Sequence, residues 1–190
     1  MGMTSTRTRA SAVATSPSRP TVASFRRQKI VVCKVRPGAL SEWLTAELAR
    51  MGAEIVRADP EEHDRMMAVV QVLTHFGIMA MGLSLARSGQ PLEDTLRFMS
   101  PIYRLEVSMV GRLFSQSPEL YREIVMKNPW AAQLRHGFVT EATELDRIIG
   151  EADSAAFLAR FAETRAYFAS FSAEAMALSD HIIDTVMSRA

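Results

Sequence analysis

The pattern of hydrophobic and polar positions predicts a short mixed segment followed by a long helical one. Residues 29–35 contain a β-branched run that stops at a Pro-Gly pair, as a strand that ends in a turn does. A helix should follow from Ser41, which suits an N-cap, to Gly52, which suits a left-handed C-terminal cap. Residues 53–58 have the composition of a second strand, so the three elements form a β-α-β unit.

From Pro60 onward the apolar residues recur at intervals of three and four, which is the spacing of amphipathic helices. A long helix should run to about Arg87 and end at Gly89. Further helices are predicted to start at Pro91, Ser100-Pro101, Ser117-Pro118 and Asn128-Pro129, with one or two more between Ser154 and Ser188. The fold class is therefore mainly α, with a residual β-α-β unit in front of a helical domain.

Charge is unevenly distributed, although the formal net charge is only +1. No acidic residue precedes Glu42, so the front of the chain is basic. This leader could be an organellar transit peptide, but Pro17 and Pro20 break any amphipathic helix, which favours a disordered tail over residues 1–28. Nucleic-acid binding is not expected, because no interleaved aromatic residues or recognition fold accompany the basic residues.

The composition is that of a globular protein, with 48% hydrophobic and 23% charged residues. The strongly apolar stretch 66–85 is interrupted by polar side chains, which predicts a buried core helix and no membrane span. Cys33 is the single cysteine, so no disulfide can form within the chain, and a reducing cytoplasm is the expected location. The sequence therefore predicts three segments: a tail (1–28), a β-α-β unit (29–59) and a helical domain (60–190).

One predicted helix carries a polar stripe that could bind an anion. Arg104, Ser108 and Arg112 are spaced four residues apart, and Gln116 continues the series, so all four lie on one face. Neither arginine has a carboxylate four residues away, and a guanidinium can bind a carboxylate through two parallel hydrogen bonds. Alternatively, each arginine pairs with a glutamate from another helix or extends into solvent.

The long helix holds a second candidate group, because Gln71 and His75 share a stripe among apolar residues. His75 is either a hydrogen-bonded core residue or a pocket residue that transfers protons. The acidic residues and His63 near the helix start match no metal-binding pattern, so no metal is expected. The sequence also lacks G-x-G-x-x-G, Walker and G-x-S-x-G motifs, so no cofactor is expected either.

Two segments carry a family resemblance: DPEEHDRMMAVVQVLTHF (residues 59–76) and SPIYRLEVSMVGRLFSQSPELY (residues 100–121). Both resemble the helical domain of prephenate dehydrogenases, and a weaker likeness extends from about Lys29 to near the C-terminus. The β-α-β unit resembles the end of the family's Rossmann domain, whose glycine-rich NAD loop and catalytic histidine have no counterpart in this sequence. The resemblance thus implies a homodimeric, substrate-binding domain with most of the NAD-binding portion missing.

The resemblance also implies roles for individual residues. Arg112 would bind a substrate carboxylate, Gln116 would lie beside the substrate ring, and His75 would line the same pocket. Arg104 would support the site, and Tyr121 falls where the family is sensitive to tyrosine.

Three functions are compatible with these features. Our main prediction is a cofactor-independent enzyme of specialised metabolism that isomerises, cyclises or eliminates an acidic, enol-bearing or prephenate-like substrate, with His75 as general acid-base. The first alternative is a prephenate or arogenate dehydrogenase of tyrosine biosynthesis, present as a fragment or assembled with a separate dinucleotide-binding subunit. The second alternative is a non-catalytic module that binds an aromatic acid or mediates dimerisation.

Overall fold

A computed structural model describes residues 24–33, 35–36 and 38–188 of the 190-residue chain. The predicted tail therefore falls mostly outside the described residues, as does Pro37 of the turn predicted after the first strand. The chain forms two compact units, one up to Met67 and one from Ala68 onward.

The first unit contains the predicted β-α-β arrangement. Its elements are β1 (Lys29–Cys33), α1 (Ala39–Arg50), β2 (Glu54–Ala58) and α2 (Pro60–Met67). The two strands are parallel, with Lys29 opposite Glu54 and Cys33 opposite Ala58.

The structure confirms the predicted C-terminal end of α1 but not its predicted N-terminal cap. Gly52 has the expected positive φ of 91° after the helix. The helix begins before the predicted cap, because Gly38 occupies the N-cap position and the Ser41 hydroxyl donates to the Gly38 carbonyl (2.9 Å). Ser41 therefore bonds within the first turn of the helix instead of capping it.

The second unit is helical throughout. It comprises a π-helical segment (Ala68–Leu73) followed by α3 (Thr74–Ala86), α4 (Leu92–Arg97), α5 (Pro101–Phe114), α6 (Pro118–Lys127), α7 (Ala131–Gly150), α8 (Ser154–Phe168) and α9 (Ser172–Met187). The described residues beyond Ala58 contain no strand, which confirms the mainly α fold class.

The starts of α5 and α6 follow the predicted capping serines, whereas α7 begins at Ala131, after the predicted Asn128-Pro129. The Ser100 hydroxyl accepts from the Tyr103 N–H (3.1 Å), and the Ser117 hydroxyl accepts from the Leu120 N–H (3.3 Å). Each serine is followed by a proline in the first helical turn, where its missing N–H costs no hydrogen bond. These caps fix where α5 and α6 begin, and hence where their side chains point.

The core of the second unit is small and lies where the π-helical segment meets α6 and α7. Val72, Val125 and Ala131 are its buried members, and Met79 and Ile124 pack against them. In addition, α3 packs against α5, α9 packs against α5, and α8 packs against α7.

The helical run Pro60–Ala86 is long and apolar enough, by length and composition alone, to cross a membrane. We predicted a buried core helix here, yet only 11% of its most apolar window is buried. The described residues therefore do not enclose this helix, and its apolar side chains are largely exposed.

Candidate functional site

Arg104, Ser108 and Arg112 of the predicted polar stripe lie on α5, and Gln116 lies two residues beyond its end. The Ser108 hydroxyl donates to the Arg104 carbonyl (2.7 Å), and the Gln116 amide donates to the Arg112 carbonyl (3.2 Å). Both arginines are half-buried, and neither guanidinium has a hydrogen bond or ion pair with the part of the chain that the structure describes. The alternative of an intrachain glutamate partner thus finds no support among those residues, which leaves both guanidinium groups able to bind an anion.

A second group forms where α3 meets α6. The rings of His75 and Tyr121 are in edge-to-face contact, with centroids 5.0 Å apart and an interplanar angle of 84°. Tyr121 is buried at 8% exposure, and Nδ1 of His75 is buried without a hydrogen-bond partner among the described residues. Burial lowers the pKa of His75, so its imidazole is neutral at physiological pH.

A buried imidazole nitrogen without a partner has a chemical consequence. Such a group loses its hydration without compensation, and a ligand that supplied a donor or acceptor would remove that cost. Gln71 lies in the π-helical segment one turn before His75, on the same stretch of helix. Its side chain is also half-buried.

The described contacts do not join these two groups of predicted site residues. Helix α3 approaches α5 at Gly82, where an added Cβ would lie 2.8 Å from Val110 Cγ1 and 2.4 Å from Phe114 Cε2. Arg112 follows Val110 by two residues, so it lies on roughly the opposite side of α5. The arginine stripe and the His75–Tyr121 pair therefore occupy different faces of the helices that carry them.

Other polar features lie outside the predicted site. A cavity of about 460 Å³ between α7 and α8 is lined by Glu141, Arg160 and Tyr167, among others, and includes no predicted site residue. Among the described residues, no group of three potential metal ligands comes together. In the first unit, His63 Nδ1 lies 3.0 Å from Asp64 Oδ1, within α2.

The second unit is a helical domain with two arginines on α5 that lack a described partner, and it has extensive exposed apolar surface. A sequence model described as "Prephenate dehydrogenase, dimerization domain" matches residues 59–163, which is more than half of the chain. The chain therefore belongs to the prephenate dehydrogenase family and contains its dimerization domain. The resemblance predicted from residues 59–76 and 100–121 is thus confirmed.

Similar proteins extend beyond the matched domain. The T-protein of Enterobacter agglomerans is 36% identical over 149 residues, covering 78% of this chain and 40% of its own length. The probable arogenate/prephenate dehydrogenase of Methanocaldococcus jannaschii is 31% identical over 154 residues, covering 80% of this chain and 34% of its own. The chain thus spans well under half the length of these relatives.

Solved structures support the fold. Prephenate dehydrogenase from Aquifex aeolicus superposes with a TM-score of 0.58 at 18% identity, covering 77% of this chain and 51% of that one. Synechocystis arogenate dehydrogenase gives a TM-score of 0.55 at 17% identity, covering 77% of this chain and 53% of that one.

These comparisons correct the main functional prediction. The Methanocaldococcus jannaschii relative and both solved structures are named as prephenate or arogenate dehydrogenases, so the prediction of a cofactor-independent isomerase, cyclase or lyase was wrong. They support the alternative that we considered, a dehydrogenase of tyrosine biosynthesis represented by part of its length.

Proposed function

We propose that this chain supplies the dimerization and substrate-binding part of a prephenate or arogenate dehydrogenase. The observation that carries the proposal is Arg112, a half-buried arginine without a described partner inside the matched family domain. Its guanidinium would bind a substrate carboxylate, and Gln116 would contact the ring. Arg104 and Ser108 would support this stripe from the preceding turns of α5.

His75 has a different role in the proposal. Its neutral imidazole, together with Gln71 and Tyr121, would form a second contact surface separate from the arginine stripe, and would exchange hydrogen bonds or a proton with an uncharged part of a bound molecule. A homodimer is the assembly that the dimerization domain supports. The relatives are biosynthetic dehydrogenases, which is consistent with the cytoplasmic location predicted from the sequence.

A nicotinamide cofactor is implied by the names of the relatives, but the described residues do not fit one. Dinucleotide sites need glycines that let a phosphate approach the backbone before a helix. Here the Ser41 hydroxyl already bonds to the Gly38 carbonyl, and no G-x-G-x-x-G motif precedes α1. We therefore assign no cofactor residues in this chain, and a separate dinucleotide-binding domain would have to supply them.

Calorimetric titration with prephenate, and separately with arogenate, tests the carboxylate assignment. Arg112→Ala should weaken binding by about 1.5 to 3 kcal/mol, the value of a hydrogen bond to a charged group, or on the order of 10- to 150-fold. Arg112→Lys should give an intermediate loss, because it keeps the charge and loses the two-pronged geometry.

Arg97→Ala is the matched control, because this exposed arginine forms only a surface ion pair with Asp94 (3.6 Å). It should leave the affinity unchanged. If Arg112→Ala binds as tightly as the wild-type chain, Arg112 is not the carboxylate ligand. NAD-dependent turnover after addition of a separately purified dinucleotide-binding domain would support the dehydrogenase assignment itself.

A further inference from the structure

The two ring nitrogens of His75 have different surroundings. Nδ1 is buried without a hydrogen-bond partner among the described residues. Nε2 also lacks a hydrogen bond in the described part of the chain, but it is not buried. The ring edge packs against Tyr121, with the two centroids 5.0 Å apart, which fixes the side of the ring that faces inward. A bound molecule can therefore reach Nε2 but not Nδ1.

This difference determines where the neutral ring carries its single proton. A neutral imidazole has one N–H donor and one nitrogen that accepts through its lone pair. Buried N–H groups without an acceptor are rare in native proteins, because they lose their bond to water and gain nothing in return. A proton on Nε2 avoids this loss, since the accessible N–H can bond to water or to a ligand.

We propose that His75 carries its proton on Nε2 and acts as a hydrogen-bond donor to an uncharged oxygen of the bound molecule, and not as a base. The inference rests on the second contact surface in the proposed function and specifies its chemistry. A protonated Nε2 has no lone pair with which to accept a proton. The lone pair of the ring lies on Nδ1, which is buried.

The surroundings of Nδ1 also explain why the ligand oxygen is uncharged. A carboxylate beside Nε2 would favour the imidazolium form of His75. That form has a second N–H on Nδ1, where the described residues provide no acceptor. A hydroxyl or carbonyl oxygen accepts the hydrogen of Nε2 without favouring a second proton. The two surfaces would then select different ligand groups, with a carboxylate at the arginine stripe of α5 and an uncharged oxygen at His75.

The chain contains its own references for this assignment. His63 Nδ1 lies 3.0 Å from Asp64 Oδ1, and an ionised carboxylate only accepts hydrogen bonds, so the proton of His63 belongs on Nδ1. His136 and His181 are exposed, so neither ring nitrogen is restricted by burial. His63 and His75 should therefore carry their protons on opposite nitrogens, while the two exposed histidines exchange between both forms.

Long-range ¹H–¹⁵N correlation spectra of the full chain at pH 7.5 test the proposal, because they show which ring nitrogen carries the proton. His75 should be protonated on Nε2 alone and His63 on Nδ1. The loss of signals in His75→Gln identifies those of His75. A proton on Nδ1 of His75, or exchange between both forms as in His136 and His181, would overturn the assignment. The spectra are recorded on the free chain, so this result is independent of the proposed function.

Calorimetric titration of the full chain with prephenate tests the donor role. His75→Leu should weaken binding roughly 5- to 10-fold, because it removes one neutral hydrogen bond. His75→Gln should weaken binding less than about twofold, since its amide keeps an N–H donor but cannot take up a proton. His181→Leu is the matched control, because this exposed histidine on α9 lies outside both surfaces, and it should bind like the wild-type chain. Equal losses in folded His75→Leu and His75→Gln variants would show that His75 does not act as a donor.

Discussion

His75 is the residue whose surroundings are most specific. One ring nitrogen is buried without a partner in the described part of the chain, and the ring edge is fixed by Tyr121. Apolar contact on one side and an unsatisfied nitrogen on the other make this imidazole resist protonation. The same surroundings prepare it to accept or donate one hydrogen bond to a bound molecule.

The burial of His75 predicts that stability falls in acid. Its pKa in the folded chain lies below the ordinary value, while the unfolded chain titrates near 6.5. Between these values the unfolded state binds more protons, so the free energy of unfolding decreases as pH falls below about 6.5. Urea unfolding at pH 7.5 and pH 5.5 measures this decrease.

The matched variant is His75→Gln, which removes the titrating group and keeps a polar side chain. Its free energy of unfolding should depend less on pH over the same interval. An unchanged pH dependence would mean that other groups cause the acid sensitivity.

Residue-level predictions succeeded where the signal is local. Ser100 and Ser117 bond to N–H groups three residues away, so their roles could be predicted from adjacent sequence. The contact between His75 and Tyr121 joins residues on separate helices, and no spacing rule predicts it. The roles assigned to Arg112, Gln116, Arg104, Ser108, Gln71 and Tyr121 in substrate binding remain predictions.

At the scale of elements, the closest packing lies between α3 and α5. Gly82 has no side chain, and Val110 and Phe114 occupy the space that a Cβ would take. Val110 is buried at 9% exposure, whereas Phe114 is 53% exposed and its ring can move. A side chain at position 82 would therefore push mainly on the buried valine.

Two glycines in α3 provide a matched pair of substitutions. Gly82→Ala should lower the free energy of unfolding by about 1 kcal/mol, because overpacking of about 1 to 3 kcal/mol exceeds the gain in helix propensity. Gly77→Ala should raise it by about 0.5 to 1 kcal/mol, since its Cβ would meet only Phe138 at 3.5 Å. Urea titration of both variants provides the measurement, and equal effects would show that Gly82 is not a packing requirement.

Most element boundaries were predictable because proline, serine and glycine residues mark the ends of helices and strands, but two details were not. The π-helical segment Ala68–Leu73 has an ordinary helical composition, and its hydrogen-bond register depends on packing against α6 and α7. The start of α1 at Ala39 could not be predicted from the sequence, because glycine at position 38 is a weaker N-cap signal than serine at position 41.

At the scale of the whole molecule, apolar surface is unusually exposed for a single chain. The helical run Pro60–Ala86 and helix α8 both have large apolar side chains in contact with solvent. The dimerization domain that the family match identifies supports a homodimer, and a second copy would cover part of the apolar surface of this domain.

A dimer predicts that thermal stability depends on protein concentration. Association stabilises the folded state by mass action, so a 100-fold increase in concentration should add about 2.7 kcal/mol per dimer, or about 1.4 kcal/mol per chain. For a chain of this size, that corresponds to a rise in Tm of roughly 3 to 6 °C. Scanning calorimetry over that range measures the shift, and a constant Tm would argue against a dimer that dissociates as it unfolds.

The functional prediction failed at this same scale. We took the lack of a G-x-G-x-x-G motif and of a suitable histidine to indicate chemistry without a cofactor. The chain corresponds to only 34% to 40% of the length of two relatives, so the lack of such a motif in this chain does not indicate which reaction the family member catalyses. The segments 59–76 and 100–121, which carry the family resemblance, were the better guide.

Cys33 makes this chain convenient for site-directed labelling. Its thiol is half-buried at the end of β1, and burial, followed by the carboxylates of Asp64, Asp59 and Glu62, raises its pKa. A protonated thiol reacts slowly with maleimides and iodoacetamide. A second cysteine introduced on an exposed helix would therefore react first, so spin labels or fluorophores could report distances between two chains without removal of the native cysteine.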